Sequence, residues 1–306
     1  MNHDYLLVIR SLSPRRLRVF ALVVCSVVWC LASFCFFAFQ PQGLVAAQEG
    51  GKLKPEELLA RHLEALGSAE ARAAVKNRVV SGSAKVVNQI GGTGSIQGNG
   101  MMVSAGSKIR FGMNFNSIDY TGEDLAFDGK RISTGLLPRG KRSNLNLFIN
   151  GQEVILRDGL IGGTLSTAWL LLKADQQSLE YRGLKKIDGR QLHELLYKPR
   201  KGKSDLRVMM YFDPENFRHV RTQYNFEVGA GMGNGPNESA SQQTSYYQLI
   251  ETFDNFAVVD GLTLPHKYKM QLSVQSQRGA LLSDWTFDIS RISHKEPLDE
   301  QLFTIK

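Results

Sequence analysis

From Asn77 onward, apolar residues recur at every second position. In FRHVRTQYNFEV (217–228), Val220, Tyr224, Phe226 and Val228 alternate with His219, Arg221, Gln223, Asn225 and Glu227, and only Thr222 softens the apolar side. In LPHKYKMQLSV (264–274), Leu264, Tyr268, Met270, Leu272 and Val274 alternate with Lys267, Lys269, Gln271 and Ser273. Phe111-Met113-Phe115 and Trp285-Phe287-Ile289 repeat the pattern over shorter spans. A period of two sends successive side chains to opposite faces, so these segments predict strands with one buried and one wet face. Asp128-Gly129, Asn150-Gly151, Asp188-Gly189, Asp213-Pro214-Glu215-Asn216 and Asp260-Gly261 stand between candidate strands and carry turn chemistry. Short turns join antiparallel neighbours. The expected fold is therefore mainly β (α+β): a single curved antiparallel sheet of roughly ten strands, forming a half-closed barrel.

Two segments break the period. Pro55 suits a first helical turn, Glu56 and Glu57 favour the positive helix end, and Leu59, Leu63 and Leu66 recur at helical spacing before Gly67. This predicts a helix over 55–66, with His62 packed beside its apolar stripe. In LIGGTLSTAWLLLKAD (160–175), Leu165, Trp169 and Leu172 fall on one helical face, which predicts a second helix inserted between the early and late strands. The stretch 229–243, GAGMGNGPNESASQQ, is too rich in glycine, asparagine and serine to support a core and reads as a long flexible loop.

The first 47 residues read differently from the rest. Arg10, Arg15, Arg16 and Arg18 precede an uncharged apolar run over 20–39, followed by Gln40-Pro41. A basic flank, an apolar run and a breaker are the layout of an export signal. The run is near the ~20 residues that cross a bilayer, so an uncleaved anchor also fits, whereas Val45-Ala46-Ala47 suits cleavage before Gln48. Both readings put residues 48–306 outside the cytoplasmic membrane, in the periplasm or cell envelope. Cys25, Cys30 and Cys35 all lie in the apolar run, so the exported part carries no thiol.

Charge excludes one partner class. The whole chain carries +8, and +5 remains without the first 47 residues, too little and too scattered for a nucleic-acid surface. The basic run KPRKGK (198–203) reads as a solvated hairpin tip, with contact to anionic lipid headgroups as the alternative. No G-x-S-x-G elbow occurs, and Tyr197 stands where a second metal ligand four residues after His193 would be needed. GGTGSIQGNG (91–100) lacks the lysine of a phosphate loop and leads into a strand. Asp119, Glu123 and Asp124 are carboxylates that could pair in space for hydrolysis, but nothing in the sequence selects them. The expectation is no catalytic residue, no metal and no cofactor. Met101, Met102, Met113, Met209, Met210 and Met270 fall in or near strands, where flexible side chains suit an adaptable apolar site or fill gaps in a core.

A leading amphipathic helix, strands, an inserted helix and more strands resemble the LolA-like outer-membrane lipoprotein-sorting and carrier family. The stretches that carry the resemblance are PEELLARHLEALGSAEARAAVKNRVVSGSAKV (55–86), FDNFAVVDGLTLPHKYKM (253–270) and ISHKEPLDEQLF (292–303). The resemblance implies an unclosed barrel with a helical lid and acyl chains held in between. Leu165, Trp169 and Leu172 would then belong to the lid, and Phe111, Met113, Phe115, Met270 and Leu272 would face the hollow. The expected function is non-enzymatic binding of a hydrophobic ligand, a lipid or lipoprotein acyl chain. The alternatives are a membrane-anchored interaction or sensory domain that contacts envelope proteins, and a hydrolase without a visible site.

Overall fold

The computed structural model describes residues 53–90, 94–173, 178–199, 205–229, 244–277 and 279–305, all within the compact unit Lys52–Lys306. The stretch expected to export or anchor the chain, residues 200–203 of the basic run and most of the stretch expected to form a glycine-rich loop lie outside the described residues.

The chain begins with α1 (Pro55–Leu66) and α2 (Ala69–Ala74), and the first of these has the predicted bounds. Twelve strands follow: β1 (Asn77–Ile90), β2 (Gly94–Ala105), β3 (Lys108–Phe115), β4 (Gly122–Phe127), β5 (Ile132–Thr134), β6 (Leu179–Ile187), β7 (Arg190–Tyr197), β8 (Arg207–Phe212), β9 (His219–Val228), β10 (Ser245–Val259), β11 (Leu262–Ser276) and β12 (Gly279–Ser293). They form one antiparallel sheet in the order β5-β4-β3-β2-β1-β12-β11-β10-β9-β8-β7-β6, which does not close into a barrel. Between β5 and β6 the chain inserts α3 (Asn144–Gly151) and α4 (Val154–Arg157).

The alternation predicted from sequence sets the two faces except at the start of β9, where a register shift opposite Tyr211 and Phe212 buries His219, expected on the wet side, against Trp169. Leu264, Tyr268, Met270 and Leu272 are buried, as are Phe111, Met113 and Phe115. On the opposite face the register aligns Lys85, Thr286, Lys269, Thr252 and Arg221 in one row across five strands, so that face is charged and wet. The sheet curls strongly: α1 packs on both β11 and β6, which stand five places apart in the strand order. Its free edges are poor templates for further pairing. β5 is three residues long, and β6 carries a bulge between Tyr181 and Gly183 together with Lys185 and Lys186.

Asp188-Gly189 and Asp260-Gly261 form two-residue hairpin turns with all four residues at positive φ. Asn150-Gly151 does not turn a hairpin. It lies in the last turn of α3, where burial of Leu145, Phe148 and Ile149 overrides the local dipeptide preference. The helix predicted over 160–175 is also replaced. Gly162 and Gly163 sit at φ 76° and 49°, and among the described residues the segment forms just two single turns, Gly163–Leu165 and Leu170–Leu172. It is an irregular strap in which Leu160, Ile161, Leu165, Trp169 and Leu171 are buried and Leu170 and Leu172 only partly so, so the apolar spacing carried no helical meaning. The regular helix of the insertion lies earlier, in α3.

Gly67 ends α1 at φ 151°, with its N–H bonded to the carbonyls of Leu63 and Glu64. A Cβ there would stand 2.5 Å from the Gly261 carbonyl and 2.7 Å from a Leu262 methyl, because the helix end is bridged to the β10–β11 hairpin. Gly67→Ala is expected to lower the free energy of unfolding by about 1 to 3 kcal/mol, the cost of one strained residue. An unchanged urea midpoint would mean that α1 ends without this close approach.

Candidate ligand cleft on the concave face

The concave face is organised in cross-strand rows. Tyr224, Leu249 and Leu272 align across β9, β10 and β11, and Thr222, Glu251, Met270, Trp285 and Val86 align in the next row. Leu160, Ile161, Leu165, Trp169 and Leu171 of the strap press onto these rows and are almost completely buried. Seven of the eight residues expected to face or cover a hollow, namely Phe111, Met113, Phe115, Leu165, Trp169, Met270 and Leu272, are thus brought together in a filled centre. Leu172 is only partly buried and packs at its edge.

Polar groups fasten the strap. Glu251 is the one carboxylate on the β10 inner face, flanked by Leu249 and Phe253, and it is wholly buried. It accepts hydrogen bonds from the Tyr224 hydroxyl (2.6 Å), the Tyr268 hydroxyl and the Gly162 backbone N–H (2.8 Å). Arg78 donates to the Thr164 carbonyl, and the Thr167 N–H donates to Ser104 Oγ at 2.9 Å. Trp169 Nε1 donates to His62 Nε2 at 3.4 Å, while His62 Nδ1 pairs with the Phe217 carbonyl. His219 stacks on Trp169 with ring centroids 4.7 Å apart.

Burial pushes Glu251 up to about 7, against the three hydrogen bonds that favour its charged form. Glu123 is also raised to about 7 by burial. Burial holds His62 down to about 4 and takes His219 well below its ordinary value.

Glu123 has its own task. It accepts from Tyr120 (2.6 Å) and from Ser143, the residue that caps α3, and Tyr120 accepts from Trp285 Nε1 at 2.8 Å. This fixes the start of α3 against the β4 side of the sheet. From there Phe148 reaches across to stack on Tyr247 of β10, with centroids 6.3 Å apart and planes 18° apart. Beyond the strap, the next inner row is Phe226, Tyr247, Val274 and Leu281, one residue from each of four adjacent strands. All four are only partly buried.

Between this row and α3 lies an open cleft of about 470 Å³. Leu147, Phe148, Val228, Asn144, Gln152 and Ser276 complete its walls together with small residues, and none of its lining residues is Asp, Glu, Lys, Arg or His. Sequence reasoning placed Phe226, Val228 and Val274 on the apolar side of strands but did not single them out. Which part of a continuous apolar face stays uncovered depends on where the strap lies. Glu251 did carry a signal: it is a lone acid at inner-face parity in a strand.

The remaining chemistry is dispersed. Asp124 forms a two-pronged ion pair with Arg110, with bonds of 2.9 and 2.7 Å. His193 and Glu194 point to opposite faces, the first bonded to Tyr181 and the second to Tyr211. Gly98 and Gly100 of the glycine-rich stretch clear space for the rings of Phe115 and Phe287.

No protein-family model and no curated protein matches the chain. Solved structures do. A LolA superfamily protein from Nitrosomonas europaea is 11% identical with a TM-score of 0.40, covering 82% of this chain and 98% of that one. A putative outer membrane lipoprotein-sorting protein domain from Vibrio parahaemolyticus is 13% identical with a TM-score of 0.42, covering 80% and 97%. A MucA/MucB complex from Pseudomonas aeruginosa matches at 10% identity and a TM-score of 0.22, covering 79% of this chain and 99% of that one. The chain resembles LolA superfamily proteins over most of its length. At these identities and TM-scores the likeness carries no function with it.

The buried histidines and carboxylates pull stability in opposite directions with pH. His62 and His219 stay neutral in the fold, so acidification from pH 6.5 toward about 4, where unfolded histidine gains its proton, costs stability. Glu123 and Glu251 keep their protons up to about pH 7 when folded, against 4.5 when unfolded. Their contribution is complete below pH 4.5 and is lost as pH rises through about 7. Glu251→Gln keeps the shape and removes one of these opposing contributions. Between pH 6.5 and 4.5 it should lose about 2 kcal/mol more than the parent in urea unfolding. Parallel pH profiles for the two proteins would rule out a raised Glu251.

Proposed function

We propose that this chain is a non-enzymatic cell-envelope protein that holds a hydrophobic ligand, a lipid or lipoprotein acyl chain, at the open end of its concave face. The observation that carries this reading is the uncharged apolar cleft between α3 and the row Phe226, Tyr247, Val274 and Leu281. Sites for small apolar ligands are concave, mostly apolar and about 300 to 1,000 Å³, and the cleft is of that kind. The LolA-like fold agrees with such a role without supplying it. The export or anchor segment at the N-terminus agrees with the envelope as its place of action.

Phe111, Met113, Phe115, Leu165, Trp169, Leu172, Met270 and Leu272 serve this reading as the closed inner part of the hollow. Leu272 stands two residues before Val274 on the same face of β11, in the covered row next to the cleft floor, so a ligand in the cleft would adjoin the edge of that centre. Reaching deeper requires the strap to leave Glu251, Arg78 and Ser104. No group of three or more His, Cys, Asp or Glu residues suited to a metal occurs among the described residues.

A second reading has its own support. A centre as densely filled as this one also fits an anchored interaction domain that meets envelope proteins through its charged convex face. Native mass spectrometry on the protein purified from an envelope fraction separates the two. We expect a co-purified acyl species, identified after organic extraction, or uptake of added lipid at one per chain. A mass that stays free of lipid in both conditions assigns the protein to the interaction class.

A further inference from the structure

We infer that the ligand is a single-chain amphiphile held by its tail alone, and neither a two-chain nor a three-chain lipid. This rests on the proposed binding role and narrows it. The first argument is room. The cleft of about 470 Å³ lies in the lower part of the roughly 300 to 1,000 Å³ range of apolar ligand sites, and its inner end stops at the rows the strap covers. The space a second chain would need is occupied. Behind the cleft floor, Tyr224, Leu249 and Leu272 are fully buried under the strap, and the strap is tied at Gly162, Thr164, Thr167 and Trp169.

The second argument is charge. None of the lining residues is acidic, basic or histidine, and the polar ones are Asn144, Gln152, Ser276 and the Tyr247 hydroxyl. A charged headgroup drawn inside would lose its water with no counter-charge to replace it, so it remains at the mouth. Affinity then follows the length of the tail and ignores the sign of the head.

The test uses the full-length protein and a matched panel: a monoacylglycerol, a lysophosphatidylcholine and a lysophosphatidylglycerol with one tail, and the corresponding diacyl lipids. Displacement of a fluorescent fatty acid gives affinities, and native mass spectrometry gives stoichiometry. The three single-chain lipids should bind one per chain within a few-fold of one another. Affinity should rise about fourfold per added methylene, the change that about 0.8 kcal/mol produces, until the cleft is full. Val274→Trp should fill the cleft and abolish binding. Leu147→Lys, on a half-exposed helix position that does not endanger folding, should weaken every tail alike.

A strong preference for one headgroup charge, or equally tight one-to-one binding of a diacyl lipid, would overturn the inference while leaving lipid binding intact. Failure of every lipid in the panel would remove the binding role itself. Uptake that begins only when residues 230–243 are deleted would assign the cleft to that segment of the chain and overturn the inference as well.

Discussion

A sheet of twelve strands that curls without closing has to cover a large apolar concave face, and here the covering element is fastened by one buried carboxylate. Glu251 sits in the middle of that face. Two tyrosine hydroxyls from neighbouring strands and the backbone N–H of Gly162 converge on it. An unpaired carboxylate in that position would be very costly, so each donor is held in place by the need to satisfy it. The strap's conformation follows. Gly162 must approach Glu251 over the Met102 thioether, where a side chain would collide, and the left-handed turn at Gly162 and Gly163 carries Leu165 and Trp169 into the hollow.

A second buried carboxylate repeats the logic at the other end of the insertion. Glu123, Tyr120, Trp285 and Ser143 fix the start of α3, and α3 projects Phe148 toward Tyr247. The insertion is therefore tied at both ends and bridges distant strands. Its two anchors also determine where it stops covering the sheet. The row Phe226, Tyr247, Val274 and Leu281 lies past the strap's reach, and the cleft forms there.

Much of this was legible in the sequence, and the failures have physical causes. α1 announced itself because proline, acidic residues, a leucine stripe and a glycine all act locally. The strands were legible because a half-buried sheet imposes a period of two. The strap was misread as a helix because a segment buried along most of its length has no polar face to set a period, so Leu165, Trp169 and Leu172 matched helical spacing by composition. Asn150-Gly151 was misread because turn chemistry is local, whereas the burial of Phe148 and Ile149 is tertiary. Partnering of carboxylates is likewise nonlocal. Glu123 meets Ser143 twenty residues away, and Glu251 meets Gly162 at a separation of 89 residues.

In the function proposed above, the middle of the hollow is closed by the protein's own strap and only the distal end would receive a ligand. Photocrosslinking with a fatty acid carrying a diazirine near its terminal methyl tests this most directly, with the modified residues mapped by peptide mass spectrometry. The account predicts adducts on Leu147, Phe148, Val274 and Leu281 and none on Phe111, Leu165 or Trp169. Labelling centred on Trp169 and Phe111 would contradict it, since the chain would then occupy the space here assigned to the strap.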